Sequence, residues 1–149
     1  GTAHDSSILR KTIFVVSSKL TMEDVEIVSA VSPGVEISGS YLADAYPSWY
    51  GHNAGTSSIK NCTITNKATA GSYEDKDWMG SAVVVSQSGA VEIEGGTYTG
   101  LYAFASLAGA VNPDGRITAT DVTFSGSIEN VSKTGVDGDG IISVNGTDY

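Results

Sequence analysis

Two stretches of the chain concentrate the side chains best suited to holding a ligand. The first, about 40–57, opens Ser40-Tyr-Leu-Ala-Asp-Ala-Tyr-Pro-Ser-Trp-Tyr-Gly-His-Asn-Ala-Gly, and the second, about 67–80, ends Ala70-Gly-Ser-Tyr-Glu-Asp-Lys-Asp-Trp-Met-Gly. Both tryptophans, Trp49 and Trp78, fall here, together with Tyr41, Tyr46, Tyr50 and Tyr73. Flat rings offer apolar area to a sugar or a protein surface, while their polar tips and neighbouring acids supply direction. Tyr46, Trp49, Tyr50, His52, Tyr73, Asp75 and Trp78 are therefore the candidate binding set, for a glycan or for a host or cell-surface protein. The alternative is that these rings fold the stretches down onto the wall beneath them, since long loops need a satellite core.

Other chemistry is thinner. In Asp137-Gly-Asp-Gly, alternate acids separated by glycine can wrap oxygen ligands around a hard cation, which makes Asp137 and Asp139 candidate calcium ligands. Glu74-Asp-Lys-Asp is a second acidic run. Neither completes an EF-hand loop, since Asp137–Gly140 passes straight into Ile141-Ile142, and solvated turn acids are the commoner explanation of such runs. Calcium is the single ion the pattern allows, and no other cofactor is expected. His4 lies near the N-terminus and His52 in the first aromatic stretch, a placement that does not suggest zinc. Cys62 is alone, so it has no intrachain disulfide partner. The Asn-x-Ser/Thr triplets at Asn61, Asn130 and Asn145 are matches that a chain rich in these residues produces by chance.

Bulk properties narrow the partners. The chain has 149 residues, long enough for one domain with a real core, and 40% of them are apolar. Seventeen acids against eight bases give a net charge of −9, which repels phosphate backbones and argues against nucleic-acid binding. No apolar run approaches the roughly 20 residues of a membrane-spanning helix. The opening Gly1-Thr-Ala-His-Asp does not resemble a signal peptide and reads as a mature chain or an excised fragment.

What positions these residues is an internal repeat. Met22-Glu-Asp-Val-Glu-Ile-Val, Ile59-Lys-Asn-Cys-Thr-Ile-Thr, Ile93-Glu-Gly-Gly-Thr-Tyr-Thr and Ala119-Thr-Asp-Val-Thr-Phe-Ser align without gaps. Their third column, Asp24, Asn61, Gly95 and Asp121, holds the residue types that tolerate a left-handed backbone at low cost. Apolar alternation with period two runs up to that column, skips one residue and resumes, with Ile27, Ile64, Tyr98 and Phe124 two places further on. One strand ends, the chain bends, and another begins. Five further apolar segments interleave with these corners: Ile13-Phe-Val-Val, Val35-Glu-Ile, Ala82-Val-Val-Val, Ala103-Phe-Ala-Ser-Leu and Gly140-Ile-Ile-Ser-Val. The pattern predicts an all-β parallel solenoid of about five coils, with the two aromatic stretches as insertions. An antiparallel sandwich is the competing fold, but short Asn-Gly or Asp-Gly turns are nearly absent between the strands. In the solenoid the outward residues Thr63 and Thr65, Thr97 and Thr99, then Thr123 and Ser125 would form Thr-x-Thr rows, similar to those of ice-binding solenoids. Threonine is also simply a good outward strand residue.

Segments such as Val91-Glu-Ile-Glu-Gly-Gly-Thr-Tyr-Thr-Gly and Leu20-Thr-Met-Glu-Asp-Val-Glu-Ile resemble the right-handed parallel β-helix proteins of the pectate-lyase-like superfamily. They most resemble its non-catalytic members, the adhesins and autotransporter passenger domains. That resemblance implies a non-enzymatic binding or structural module, secreted or on the cell surface. The superfamily's polysaccharide lyases and glycoside hydrolases remain the alternative. The hydrolases carry Gly-His-Gly and Arg-x-Lys elements, which Gly51-His52-Asn53 and the two arginines, Arg10 and Arg116, match poorly. The layout of strands at both ends suggests a piece of a longer coil or a subunit that associates end to end.

Overall fold

The computed structural model describes residues 12–16, 18–30, 32–39, 55–71, 77–86, 89–107, 115–131 and 141–149. They are almost entirely β. The strands in chain order are β1 (Ile13–Val16), β2 (Thr21–Glu23), β3 (Glu26–Ser29), β4 (Val35–Ser38), β5 (Ser57–Lys60), β6 (Thr63–Asn66) and β7 (Ser81–Ser86). There follow β8 (Ala90–Glu94), β9 (Thr97–Leu107), β10 (Arg116–Thr120), β11 (Thr123–Val131), β12 (Ile141–Val144) and β13 (Thr147–Asp148). A 3₁₀ turn, Asp77–Gly80, leads into β7.

The strands pair in two sheets, one six-stranded in the order β13-β12-β10-β8-β5-β2, the other seven-stranded in the order β1-β4-β7-β9-β6-β3 with β11 on β9. Apart from the short antiparallel pair β12–β13, every described pairing is parallel. Each strand lies beside its counterpart one repeat later. Met22 faces Ile59, Ile59 faces Ile93, Ile93 faces Ala119 and Ala119 faces Val144. Across the corner, Ile27, Ile64, Tyr98 and Phe124 form a second row. Val35, Val83, Phe104 and Ile128 form a third, begun by Ile13 on β1. The long β9 serves two of these rows, pairing β6 through its first residues and β7 through its last. All three rows face one core.

The corner residues behave as their types require. Asp24, Asn61, Gly95 and Asp121 have φ of 55°, 48°, 66° and 55°. Each repeat is then tied to the next through backbone donors at the bend: Asp24 N–H to Lys60 O, Asn61 N–H to Glu94 O and Gly95 N–H to Thr120 O, at 2.9–3.0 Å. Directly after the bend, Thr63, Thr97 and Thr123 donate back to the carbonyls of Val25, Cys62 and Gly96.

The sequence pattern groups Ile141–Val144 with the second apolar segments, but the strand pairs with β10 and so belongs to the corner row. Asn145, with φ 49°, is accordingly a fifth corner. The cause is physical: a four-residue strand such as Ile-Ile-Ser-Val shows which of its residues face inward but not which sheet it joins. Asn145-Gly146, with φ 49° and 81°, also makes the two-residue hairpin to β13 that this dipeptide favours.

The core is apolar except at a few positions. Tyr98 is fully buried, its ring 5.2 Å from that of Phe104, and among the described residues its hydroxyl has no hydrogen-bond partner. Burial raises that hydroxyl's pKa well above the usual tyrosine value, with the nearby Cys62 adding to the effect. An orphaned hydroxyl costs about 1–3 kcal/mol, so Tyr98 is held there by ring packing against Phe104, which in turn packs on Phe124. Asn66, also buried, does the opposite: its amide nitrogen donates to Ser32 O (2.8 Å), Ser81 O (3.0 Å) and Met79 O (3.2 Å), while its oxygen accepts from Ala68 N–H. It joins the approaches to β4 and β7.

A corner that needs both a positive φ and close backbone contact should be the least tolerant. At Gly96 (φ 91°) a Cβ would run into the backbone of Cys62, whose carbonyl already accepts Thr97 N–H. Gly96→Ala is expected to lose about 2–4 kcal/mol in urea denaturation, against under about 0.5 kcal/mol for Asp24→Gly. Equal losses would show that corner geometry is not limiting.

Candidate functional site

Most of the sequence candidates fall outside the described residues: Tyr46, Trp49, Tyr50, His52, Tyr73 and Asp75, and the calcium candidates Asp137 and Asp139. Among the described residues no group of His, Cys, Asp and Glu is arranged to hold a metal ion.

Trp78 is described, and its surroundings favour the satellite-core alternative. It sits on the 3₁₀ turn, 6% exposed, in a cluster with Val84, Ala105 and Leu107, flanked by Met79 and Tyr102. The alternation along β7 and β9 explains the place. Val83 and Val85 point into the main core, which turns Val84 outward, and Ala105 lies opposite it on β9. An outward apolar pair on a sheet must be covered, and the ring of Trp78 covers it. Ser81 Oγ donates to Trp78 O at 2.6 Å and fastens the turn to the strand it precedes. At the margin of this cluster, burial raises the Tyr102 pKa, and so do the negative charges of Glu129 and Asp77 and a hydrogen bond to Glu129. Trp78 is therefore an anchor and not a solvent-facing platform.

The threonine rows are in register. Glu26, Thr63, Thr97 and Thr123 face one another across β3, β6, β9 and β11, and Val28, Thr65, Thr99 and Ser125 form the parallel row. Thr63, Thr97 and Thr123 are exposed, and Thr65 and Thr99 partly so. The first repeat breaks both rows with Glu26 and Val28.

A second surface went unnoticed in the sequence. On the outer side of the six-stranded sheet, Ser58 and Lys60 of β5, Glu92 and Glu94 of β8, and Thr118 and Thr120 of β10 surround a shallow depression of about 360 Å³, closed at the corner by Asp121. The residues form two rows, Ser58-Glu92-Thr118 and Lys60-Glu94-Thr120. The period that sends Ile59, Ile93, Ile117 and Ala119 inward sends these outward. The signal for this surface in the sequence is the polar half of that same alternation.

Lys60 Nζ lies 3.0 Å from Glu94 Oε2, both side chains roughly half exposed. The hydrogen bond and charge of Glu94 raise the Lys60 pKa, with a smaller contribution from Glu23, its neighbour in the same row on β2. The Lys60 ammonium and the Glu94 carboxylate are thus engaged with each other, and the depression offers two further carboxylates, Glu92 and Asp121, and three hydroxyls besides. Such a lining can donate to and accept from a polyhydroxylated ligand laid across three strands.

No family model, curated protein or solved structure matches the chain.

Removing the anchor should cost stability. Trp78→Ala is expected to lose about 3–5 kcal/mol in equilibrium denaturation, as for other buried aromatics. A loss under about 1 kcal/mol would return Trp78 to the set of candidate ligand contacts.

Proposed function

We propose that the chain is a right-handed parallel β-helix acting as a non-enzymatic binding module, outside the cell or on its surface, whose ligand is a carbohydrate. The observation that carries this reading is the depression on the six-stranded sheet. Its two rows of Ser, Thr, Glu and Lys recur from strand to strand at the spacing of paired strands, about 4.8 Å. A pyranose chain presents hydroxyls on a comparable scale, and side chains standing on paired strands bind it without large rearrangement. Parallel pairing of every like strand supports the coiled architecture, since successive parallel strands need a crossover and here the intervening segments supply it. Among the described residues no helix is long and apolar enough to cross a membrane. The excess of acid in the depression and the net charge of −9 favour neutral glycans over polyuronates. The aromatic residues Tyr46, Trp49, Tyr50 and Tyr73 are kept as a second contact region, their role resting on residue type alone.

A panel of neutral and acidic oligosaccharides, read by array and then by calorimetry, tests this. Neutral glycans should bind; Glu92→Ala should weaken them roughly tenfold or more, the worth of one hydrogen bond to a charged group, and Thr118→Val roughly two- to tenfold, the worth of a neutral one. Binding lost with Trp49→Ala but kept with Glu92→Ala would move the site to the aromatic stretches. A panel silent throughout would end the carbohydrate reading, and release of reducing or unsaturated ends would make the protein an enzyme instead.

A second reading rests on a separate observation, the register of Thr63, Thr97 and Thr123 beside Thr65, Thr99 and Ser125. Hydroxyl and methyl groups repeated in two directions on a flat face suit an ordered water lattice. Under this reading the protein shows thermal hysteresis and Thr97→Lys removes it, with urea stability kept within about 0.5 kcal/mol. Absence of hysteresis in the unmodified protein discards it.

A further inference from the structure

We propose that Asn145 is a modification site, one whose side-chain amide latches the last described corner and whose loss to water unlatches it. At each earlier corner the carbonyl after the bend is taken by a backbone N–H of the next repeat. Val25 O accepts from Thr63, Cys62 O from Thr97 and Gly96 O from Thr123. At Val122 the chain solves the same problem with a side chain. Asn145 Nδ2 donates to Val122 O at 2.9 Å and Asn145 Oδ1 accepts from Val122 N–H at 3.0 Å. The amide thus stands in for the missing strand backbone, satisfying both polar groups of Val122 at once. The Asn145 N–H donates to Ala119 O, which holds the corner from its other side.

The residue that follows is Gly146, with φ 81° and open space where a side chain would stand. A glycine nitrogen next to an asparagine is the least hindered nucleophile the chain can offer to that amide. The Gly146 nitrogen adds to Asn145 Cγ, forming a five-membered imide. The Cγ–Nδ2 bond breaks and ammonia leaves with the proton from Gly146. Water then opens the imide at either carbonyl, leaving aspartate or isoaspartate at position 145. Asn61, Asn66 and Asn130 are followed by Cys62, Lys67 and Val131, whose side chains hinder the same approach.

The latch and the reaction oppose each other. While both oxygen and nitrogen of the amide are engaged on Val122, Cγ is not free to meet the Gly146 nitrogen, so the reaction proceeds through the open corner. Once it has happened, the latch cannot reform. A carboxylate still accepts from Val122 N–H, but it has no proton for Val122 O and presents a lone pair to it. A protonated acid would restore the donor. The folded-state pKa of an aspartate here is therefore raised, and the stability it contributes is present at low pH and lost as pH rises through that value.

The experiment follows the tryptic fragment 134–149, in which Asn145 is the sole asparagine, through weeks in mildly alkaline buffer, for the folded protein and for the same chain in urea. The expected result is conversion of amide to acid in both, roughly tenfold or more slower when folded, with faster hydrogen exchange at the Val122 amide in the converted protein. Asn145→Asp, read separately, should be less stable than the unmodified protein at neutral pH and recover toward it in acid. If that variant does not fold, the two conversion rates and the Val122 exchange decide by themselves. Equal rates folded and unfolded, no conversion in either, or unchanged Val122 exchange after conversion would each overturn the proposal.

Discussion

A backbone bend at positive φ is tolerated only by glycine and a few short polar residues, and this chain places one at the same point of every repeat. Asp24, Asn61, Gly95, Asp121 and Asn145 all adopt it. Everything else in the described structure follows from that recurrence. Because each bend occurs at the same phase, the residues on either side of it face their counterparts one repeat away, and the apolar ones form continuous rows. A slip of one residue in any pairing would turn a row of Ile and Val to solvent and a row of Glu and Thr into the core. The penalty for that exchange is what makes the register unique.

The rows also explain why the two outer surfaces differ. Over β7 and β9 the outward positions hold Val84, Ala105 and Leu107, so this part of the wall needs a cover, and the insertion before β7 provides one through Trp78. Over β5, β8 and β10 the outward positions hold Lys60, Glu92, Glu94, Thr118 and Thr120, which are content in water. The first surface is satisfied by the chain's own turn, whereas the second keeps its polar groups available. A search for function by aromatic content leads to the first surface. A search by the polar half of the alternation leads to the second.

Variation in spacing between corners does not disturb this arrangement. Asp24 to Asn61 spans 37 residues and Asp121 to Asn145 only 24, yet the strands they join pair in the same register. The excess lies between β4 and β5 and between β6 and β7, where a loop can lengthen at small entropic cost. Asn66 shows how one such excursion is closed again: its single amide reaches the approach to β4, the end of the 3₁₀ turn and the start of β7. A strand residue has become the knot for three segments that no repeat specifies.

The residue pattern alone determined the corner positions, the inward rows and the threonine rows, because these depend on local conformational preference and on a period of two along each strand. It also held the Ser58-Glu92-Thr118 row, readable in principle from the same period. Only the tertiary structure decided that Ile141–Val144 joins the corner sheet, that Trp78 is buried, and that Asn145 closes on Val122. Each of those depends on which neighbour stands one repeat away or across a wall. A four-residue strand, a lone tryptophan or an Asn-Gly pair looks the same in sequence whichever neighbour it meets.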